Sequence, residues 1–164
     1  MTELTADELN LSVRQIDFEK IDEVIDLFDQ YRMFYKQASD LELAKHFLTE
    51  RLQNNESVIF VACIEFNDTA LSVGFTQLYP KYSSVKAVKN WILNDLYVNP
   101  AYRKQGIGNK LIDASIDFAK NGGAKYVQIE TATDNYTAQS LYESVGFIKQ
   151  APDAEFIVYR KSVD

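Results

Sequence analysis

Between Leu93 and Leu111 the chain reads Leu-Asn-Asp-Leu-Tyr-Val-Asn-Pro-Ala-Tyr-Arg-Lys-Gln-Gly-Ile-Gly-Asn-Lys-Leu. A strand-like run stops at Asn99-Pro100, and a basic turn with two glycines then opens a helical pattern. Residues of these types at this spacing hold phosphate oxygens. The first amides of a helix lack intrahelical acceptors, and the helix dipole places positive charge at the same end. Gly106 and Gly108 allow close backbone approach and positive φ, while Arg103 and Lys104 add charge where a diphosphate would lie. A Gly-x-Gly before a helix also serves plain packing, and that reading stays open here. Two other phosphate-binding loops fail on the same residues. A Walker loop requires Gly-Lys-Ser/Thr, but Asn109 and Lys110 follow Gly108 with no hydroxyl residue next. A dinucleotide fingerprint requires a third glycine where Leu111 stands.

With the residues downstream of it, this stretch resembles the GCN5-related N-acetyltransferase (GNAT) superfamily. The pattern Arg/Gln-x-x-Gly-x-Gly/Ala matches Arg103 to Gly108, preceded by Leu96-Tyr97-Val98. A second block follows at the family's spacing: Asn135, Ala138, Leu141-Tyr142-Glu143 and Gly146-Phe147. Together the blocks cover residues 91–149. The resemblance implies transfer of an acetyl group from acetyl-CoA to a primary amine, by direct attack in a ternary complex. It implies that the strand end Leu96-Tyr97-Val98 pairs with the pantetheine arm through main-chain groups of Leu96 and Val98. It further implies that Lys104, Gln105, Gly106, Ile107, Gly108 and Asn109 cradle the diphosphate with their amides, helped by the Arg103 side chain. Asn135 would bond the cofactor near the pantetheine, and Tyr142 would sit beside the thioester sulfur.

The last role has independent chemical support. Acetyl transfer expels a thiolate, and a phenol with a pKa of about 10 is protonated at neutral pH and able to donate. Tyr142 also shares its helix side with Ala138, Leu141 and Val145, so a packed aromatic bonding a backbone group is the alternative. The amine side is less specified. A lysine-like amine has a pKa of about 10.4 and must lose a proton before it attacks. Polyamine-acetylating relatives carry a glutamate where Asn94 stands here, and Asn94 cannot take that proton. Strand alternation points Asp95 to the opposite face from Asn94 unless a bulge intervenes. Glu130, on the following strand, is another candidate, and a water relay leaves the base unassigned. Tyr31, Phe34 and Tyr35, with Tyr79 and Tyr82, are the aromatic residues placed to flank a cationic amine, with core packing as the alternative. His46 reads as an ordinary helix residue and Cys63 as a packed thiol.

These residues need a scaffold. Strands are expected near 11–16, 58–64, 71–79, 87–98, 126–131, 147–149 and 155–160. An amphipathic helix starts around Ile21–Phe28, and others span about 41–52, 108–120 and 135–145, with Asp40 as a helix cap. Val58–Ile64 is continuously apolar, as a strand covered on both faces should be. Residues 1–10 are read as loose or an extra helical turn, and Asn67-Asp68 as a turn. The expected fold is one α/β (mixed α+β) domain over 1–164, GNAT-like, with a mixed and mostly antiparallel sheet of about seven strands and about four flanking helices.

Composition narrows the partners. The chain has 164 residues, is 46% hydrophobic and 25% charged, and carries a formal charge of −7. The first fifty residues hold the whole imbalance. An acidic first third argues against nucleic acid, which binds basic faces, and favours a cationic ligand if those carboxylates converge, with a solvated helix surface that keeps the protein soluble as the other reading. No apolar run is long enough for a bilayer, and no basic-then-apolar start marks a secretory signal. One His and one Cys leave no zinc set. The expectation is therefore a cytoplasmic enzyme acting on a small amine, polyamine or amino-acid-like acceptor, without metal, membrane or nucleic acid. A peptide or protein amine, a longer acyl donor, and a non-catalytic acyl-CoA-binding module stay as alternatives. Pairing through sheet edges or C-terminal strands, as in family members, makes a homodimer the expected assembly.

Overall fold

A computed structural model of the chain describes residues 10–66 and 68–163. Of residues 1–10, read as loose or an extra helical turn, all but Asn10 lie outside them, as does the turn residue Asn67. The chain divides into two compact units, one running to Glu130 and one beginning at Thr131.

The first unit contains β1 (Leu11–Ile16), α1 (Ile25–Phe34), α2 (Leu41–Gln53), β2 (Val58–Phe66), β3 (Thr69–Ser83), β4 (Val88–Val98), α3 (Ile107–Asn121) and β5 (Val127–Ile129). The strands form one sheet in the order β1-β2-β3-β4-β5. Each neighbouring pair is antiparallel except β4 and β5, which run parallel. Strand β2 shows why both faces are covered. Ile59, Val61 and Cys63 join Val24, Leu27, Phe28, Ala44 and Leu48 from the α1–α2 side. Phe60 and Ala62, pointing the other way, join Ile107, Leu111 and Ala119 of α3. Alternation of side chains along a strand buries a continuous apolar run only when both faces have a helical cover.

The first helical pattern resolves differently from its expected start. Ile21 belongs to a 3-10 turn, Phe18–Glu23, and α1 begins at Ile25. Helix α2 starts as its sequence requires, with Asp40 Oδ1 accepting the Leu43 amide at 2.9 Å. The connection between these helices is fixed by Asp29, a carboxylate only 4% exposed. It accepts from Ser39 Oγ (2.6 Å), the Asp40 amide (2.9 Å) and Arg32 Nη1 (3.2 Å). Burial pushes its pKa up, but the donations from Ser39 and Asp40 and the Arg32 charge outweigh that and hold it below the ordinary value.

The second unit carries α4 (Tyr136–Ser144). The strands expected at 147–149 and 155–160 are not formed, so the sheet has five strands among the described residues rather than about seven. Ile148, Phe156, Ile157, Val158 and Tyr159 stand exposed instead. The Glu155 and Phe156 amides are taken locally, both donating to Asp153 Oδ1. A β-prone run becomes a strand only when a neighbouring strand receives its amides and carbonyls, and an aspartate turn competes for them. Among the described residues, no helix is long and apolar enough to cross a membrane.

Asp29→Ala should cost about 2 kcal/mol in denaturant unfolding, the order expected when hydrogen bonds to a buried charge are lost. The lowered pKa sets the pH dependence. The stabilisation is complete above the ordinary aspartate pKa of about 3.9 and is lost as pH falls through the lower native value. The gap between wild type and variant should therefore close in acid.

Candidate active site

Strand β4 organises the first unit's chemistry. Asp95 lies opposite Gln77 of β3, but Leu93 lies opposite Leu78, so Asn94 is an extra residue in β4. This bulge reverses the strand's alternation. Trp91, before it, packs with the α3 side, whereas Tyr97, after it, packs with the α1–α2 side. Without the bulge, residues 91, 95 and 97 would share one face. With it, Asp95 and Tyr97 turn toward α1, and Leu96 and Val98 turn toward α3. The intervening bulge that the sequence left open is present.

The bulge also coincides with a parting of strands. Strand β5 pairs with β4 only through Trp91, Ile92 and Leu93. Beyond that point β4 continues for five residues without it. The Asn99 amide donates to the Val73 carbonyl of β3 at 2.8 Å. By alternation the main-chain groups of Tyr97 also face β3, and those of Leu96 and Val98 face the side that β5 has left. That is a strand edge ready for an extended ligand.

The glycine turn follows directly. Arg103 is extended, Lys104 has φ 63°, and Gly106 precedes α3 with φ 82°. Gly106 is where a residue without Cβ is needed, since other residues rarely take that conformation. The first bond closing α3 runs from the Lys110 amide to the Gly106 carbonyl at 3.2 Å. The amides of Ile107, Gly108 and Asn109 therefore precede any intrahelical bond, as an anion cradle requires. The Ile107 side chain is buried and anchors the helix start in the α3-side core, while Asn109 is exposed and Gln105 half-buried. Arg103 bends back toward the strand: its Nε donates to the Val98 carbonyl at 2.8 Å, and its guanidinium lies 5.5 Å from the Tyr97 ring centre.

On the α1 side of the bulge sits a polar cluster in an otherwise apolar core. Asp95 is 3% exposed and Gln77 is fully buried. Gln77 Nε2 donates to Asp95 Oδ2 at 2.5 Å and to the Tyr79 hydroxyl at 3.0 Å. Asn94 Nδ2 donates to Asp95 Oδ1 at 2.9 Å, and Thr76 Oγ1 donates to the Asp95 main-chain carbonyl at 2.8 Å. The Tyr31 hydroxyl also bonds the Asp95 carboxylate. Burial pushes the Asp95 pKa up, and the donations from Gln77, Asn94 and Tyr31 only partly offset it. Burial first, then the nearby Asp95 charge, pushes the Tyr31 and Tyr79 phenols upward too. The cluster is a desolvated carboxylate with neutral donors around it, which gives it both proton affinity and attraction for a cation.

The other expected acceptor residues divide. The Tyr31 ring stands edge-on to Phe75, Tyr97 and Tyr35, and so joins core and site. Tyr35, Phe34 and Tyr82 are exposed. Glu130 lies just past β5 rather than on it; it is exposed and accepts from Gln128 Nε2 at 2.9 Å. Gln77 was not singled out from the sequence. Its signal was available, as a long amide side chain inside the apolar strand Leu71–Tyr79. In the second unit, Asn135 caps α4, its Oδ1 accepting the Ala138 amide at 3.1 Å. Tyr142 is half-buried, with its ring 6.0 Å from that of Phe147.

The model of the Acetyltransferase (GNAT) family matches residues 21–147. An uncharacterized N-acetyltransferase of Bacillus subtilis, YhfO, is 42% identical over 149 residues, covering 91% of this chain and 95% of that protein. A probable acetyltransferase of Haemophilus influenzae is 34% identical, covering 77% and 83%. Among solved structures, a probable acetyltransferase superposes with TM-score 0.81 at 35% identity, covering 93% of this chain and 98% of its own. The aminoglycoside N-acetyltransferase AAC(6')-Iy in complex with CoA shares the fold, with TM-score 0.75 at 20% identity and coverage of 93% and 95%.

The Asp95 cluster makes a direct spectroscopic prediction. Carboxyl-carbon NMR should find Asp95 titrating above about 3.9, the ordinary aspartate value. Tyr31→Phe, which removes a donor to the carboxylate, should move that titration higher still.

Proposed function

The chain belongs to the acetyltransferase (GNAT) family, and from that premise we propose that it transfers an acetyl group from acetyl-CoA to a small primary amine, the whole chain acting as one catalytic domain. One observation carries this reading. The bulge at Asn94 gives a single strand an outward main-chain edge at Leu96 and Val98 and an inward buried carboxylate at Asp95. An elongated donor and a cationic acceptor are thereby offered opposite sides of one strand.

When bound, acetyl-CoA supplies an activated acetyl thioester. The residues fit such a molecule. Leu96 and Val98 offer strand-like hydrogen bonds to an amide-containing arm, and the amides leading into α3 meet a diphosphate. Arg103 keeps the turn against the strand end through Val98 and holds its remaining guanidinium donors for phosphate oxygens. The Asn135 amide nitrogen, on a side chain whose oxygen is spent on its helix cap, is the group left to donate to the arm.

Asp95 is the acceptor's anchor. An alkylammonium with a pKa of about 10.4 gives its proton to a carboxylate only uphill. Raising the proton affinity of Asp95 by burial makes that step less steep, and removal from water strengthens its hold on the cation beforehand. Tyr142 delivers a proton to the departing sulfur. The surplus of acid in the first fifty residues favours cationic acceptors such as alkylamines and polyamines.

Thiol release from acetyl-CoA, measured against alkylamines, polyamines and lysine peptides, should single out one class of primary amine. Calorimetric CoA binding without turnover on any of them would instead support a sensing module. Gly106→Glu should weaken CoA binding at least about tenfold in a folded protein, because a side chain and a negative charge enter a positive-φ turn. Unchanged affinity would place the diphosphate elsewhere. Tyr142→Phe should lower kcat about a hundredfold while leaving CoA affinity nearly intact. Undiminished kcat across the pH range would remove Tyr142 from the mechanism.

A further inference from the structure

Gln77 poses an unsolved accounting problem within the first unit. Its side chain is fully buried in the middle of β3, and both hydrogens of its amide nitrogen are used, on Asp95 and Tyr79. Its carbonyl oxygen, Oε1, is buried with no hydrogen-bond partner among the described residues. Leaving such an acceptor unmet is costly, and folded proteins keep few of them. The amide could turn over, but Oε1 would then face the Asp95 carboxylate at 2.5 Å, acceptor against acceptor. The ionised carboxylate therefore fixes the amide's orientation and leaves Oε1 as the end without a donor.

The neighbouring groups do not supply that donor. Asn94 Nδ2 is committed to Asp95, and Thr76 Oγ1 to the Asp95 main chain. The Tyr31 hydroxyl is on the carboxylate. The nearby cation from α2, Arg51, is held by Glu50 at 2.9 Å. What the cluster lacks is an N–H donor next to a carboxylate, and a primary ammonium brings three.

We propose that Gln77 is a specificity-determining residue for the acceptor, its Oε1 receiving one N–H of a primary amine whose nitrogen is anchored at Asp95. The inference rests on the placement of the acceptor at Asp95 in the preceding section. It adds a requirement on the substrate. The ammonium first gives one proton to Asp95, and the freed nitrogen lone pair then forms the bond to the acetyl carbon; the carbon–sulfur bond breaks with its electron pair on sulfur, Tyr142 protonates that sulfur, and the second proton shed by the nitrogen restores the phenol. At the moment of attack the amine keeps two N–H groups, and one of them meets Oε1. A secondary amine keeps a single N–H, so it can meet Oε1 in one orientation only, with its methyl or larger group forced into the place of the primary amine's second N–H. A closely packed site with a buried acceptor discriminates against a ligand so constrained.

The test compares the best acceptor from the thiol-release panel with its N-methyl analogue, by kcat/KM and by calorimetric binding to the CoA-saturated protein. In the wild type the primary amine should be preferred at least about tenfold in both. Gln77→Leu keeps the volume but has no acceptor, and should bring that ratio to within about threefold of unity. Asp95→Asn should lower turnover of both amines together and leave their ratio standing. Melting temperature and CoA affinity establish that each variant is folded. A Gln77→Leu protein that loses activity equally toward both amines, with its ratio intact, would overturn the proposal and leave Gln77 as a prop for Asp95. Equal binding of the two amines by the wild type would overturn it as well. A wild type that acetylates neither amine and binds neither would defeat the acetyl-transfer reading itself, an outcome distinct from the other two.

Discussion

Everything at the centre of the first unit depends on one residue too many in β4. Opposite Gln77 and Leu78 the strand carries three residues, Leu93, Asn94 and Asp95, and the surplus shifts every later side chain to the other face. A polar residue is thereby sent into the α1 side of the core, where it is costly unless its lone pairs are met. Gln77, Asn94 and Tyr31 meet most of them. The same local twist accompanies the end of pairing with β5, which turns a buried strand into an edge. Carboxylate and open backbone are two results of a single irregularity, and they stay in register because they are consecutive residues.

The glycine turn before α3 is the second fixed point, and it is held from both ends. Ile107 and Leu111 seat α3 in the core, so the helix start cannot drift away from the sheet. At the other end Arg103 reaches back to Val98. Positive φ at Lys104 and Gly106 compresses the path between these anchors into a few residues. Preorganisation of this kind means that few backbone rotations remain to be frozen when an anion arrives.

Much of this was legible in the sequence, for particular reasons. The glycine turn could be read because αL conformations and helix starts impose residue types directly. The two-sided burial of β2 could be read because seven consecutive apolar residues have few other homes, and Asp40 because capping is local chemistry. What could not be read depended on pairing. No residue type announces the bulge at Asn94, since it is a count of one strand against another, and so the face of Asp95 stayed undecided. Gln77 was overlooked for the same reason, its meaning lying in a partner across the ladder. The segment around Phe156–Tyr159 has strand-like composition but no strand beside it, and composition says nothing about neighbours. Glu130 fell just beyond β5 because short strands end where pairing ends.

The bared side of β4 after Leu93 has a consequence for solubility. An unpaired strand margin is a template on which another polypeptide can grow, the usual route to fibrils and tangled aggregates. Here the length that β5 leaves unpaired is five residues, its run is bent at Asn94, and the outermost carbonyl already accepts from a guanidinium. A slender chain of a few amide bonds can lie along such a ledge, whereas a full-length strand finds too short and too crooked a partner.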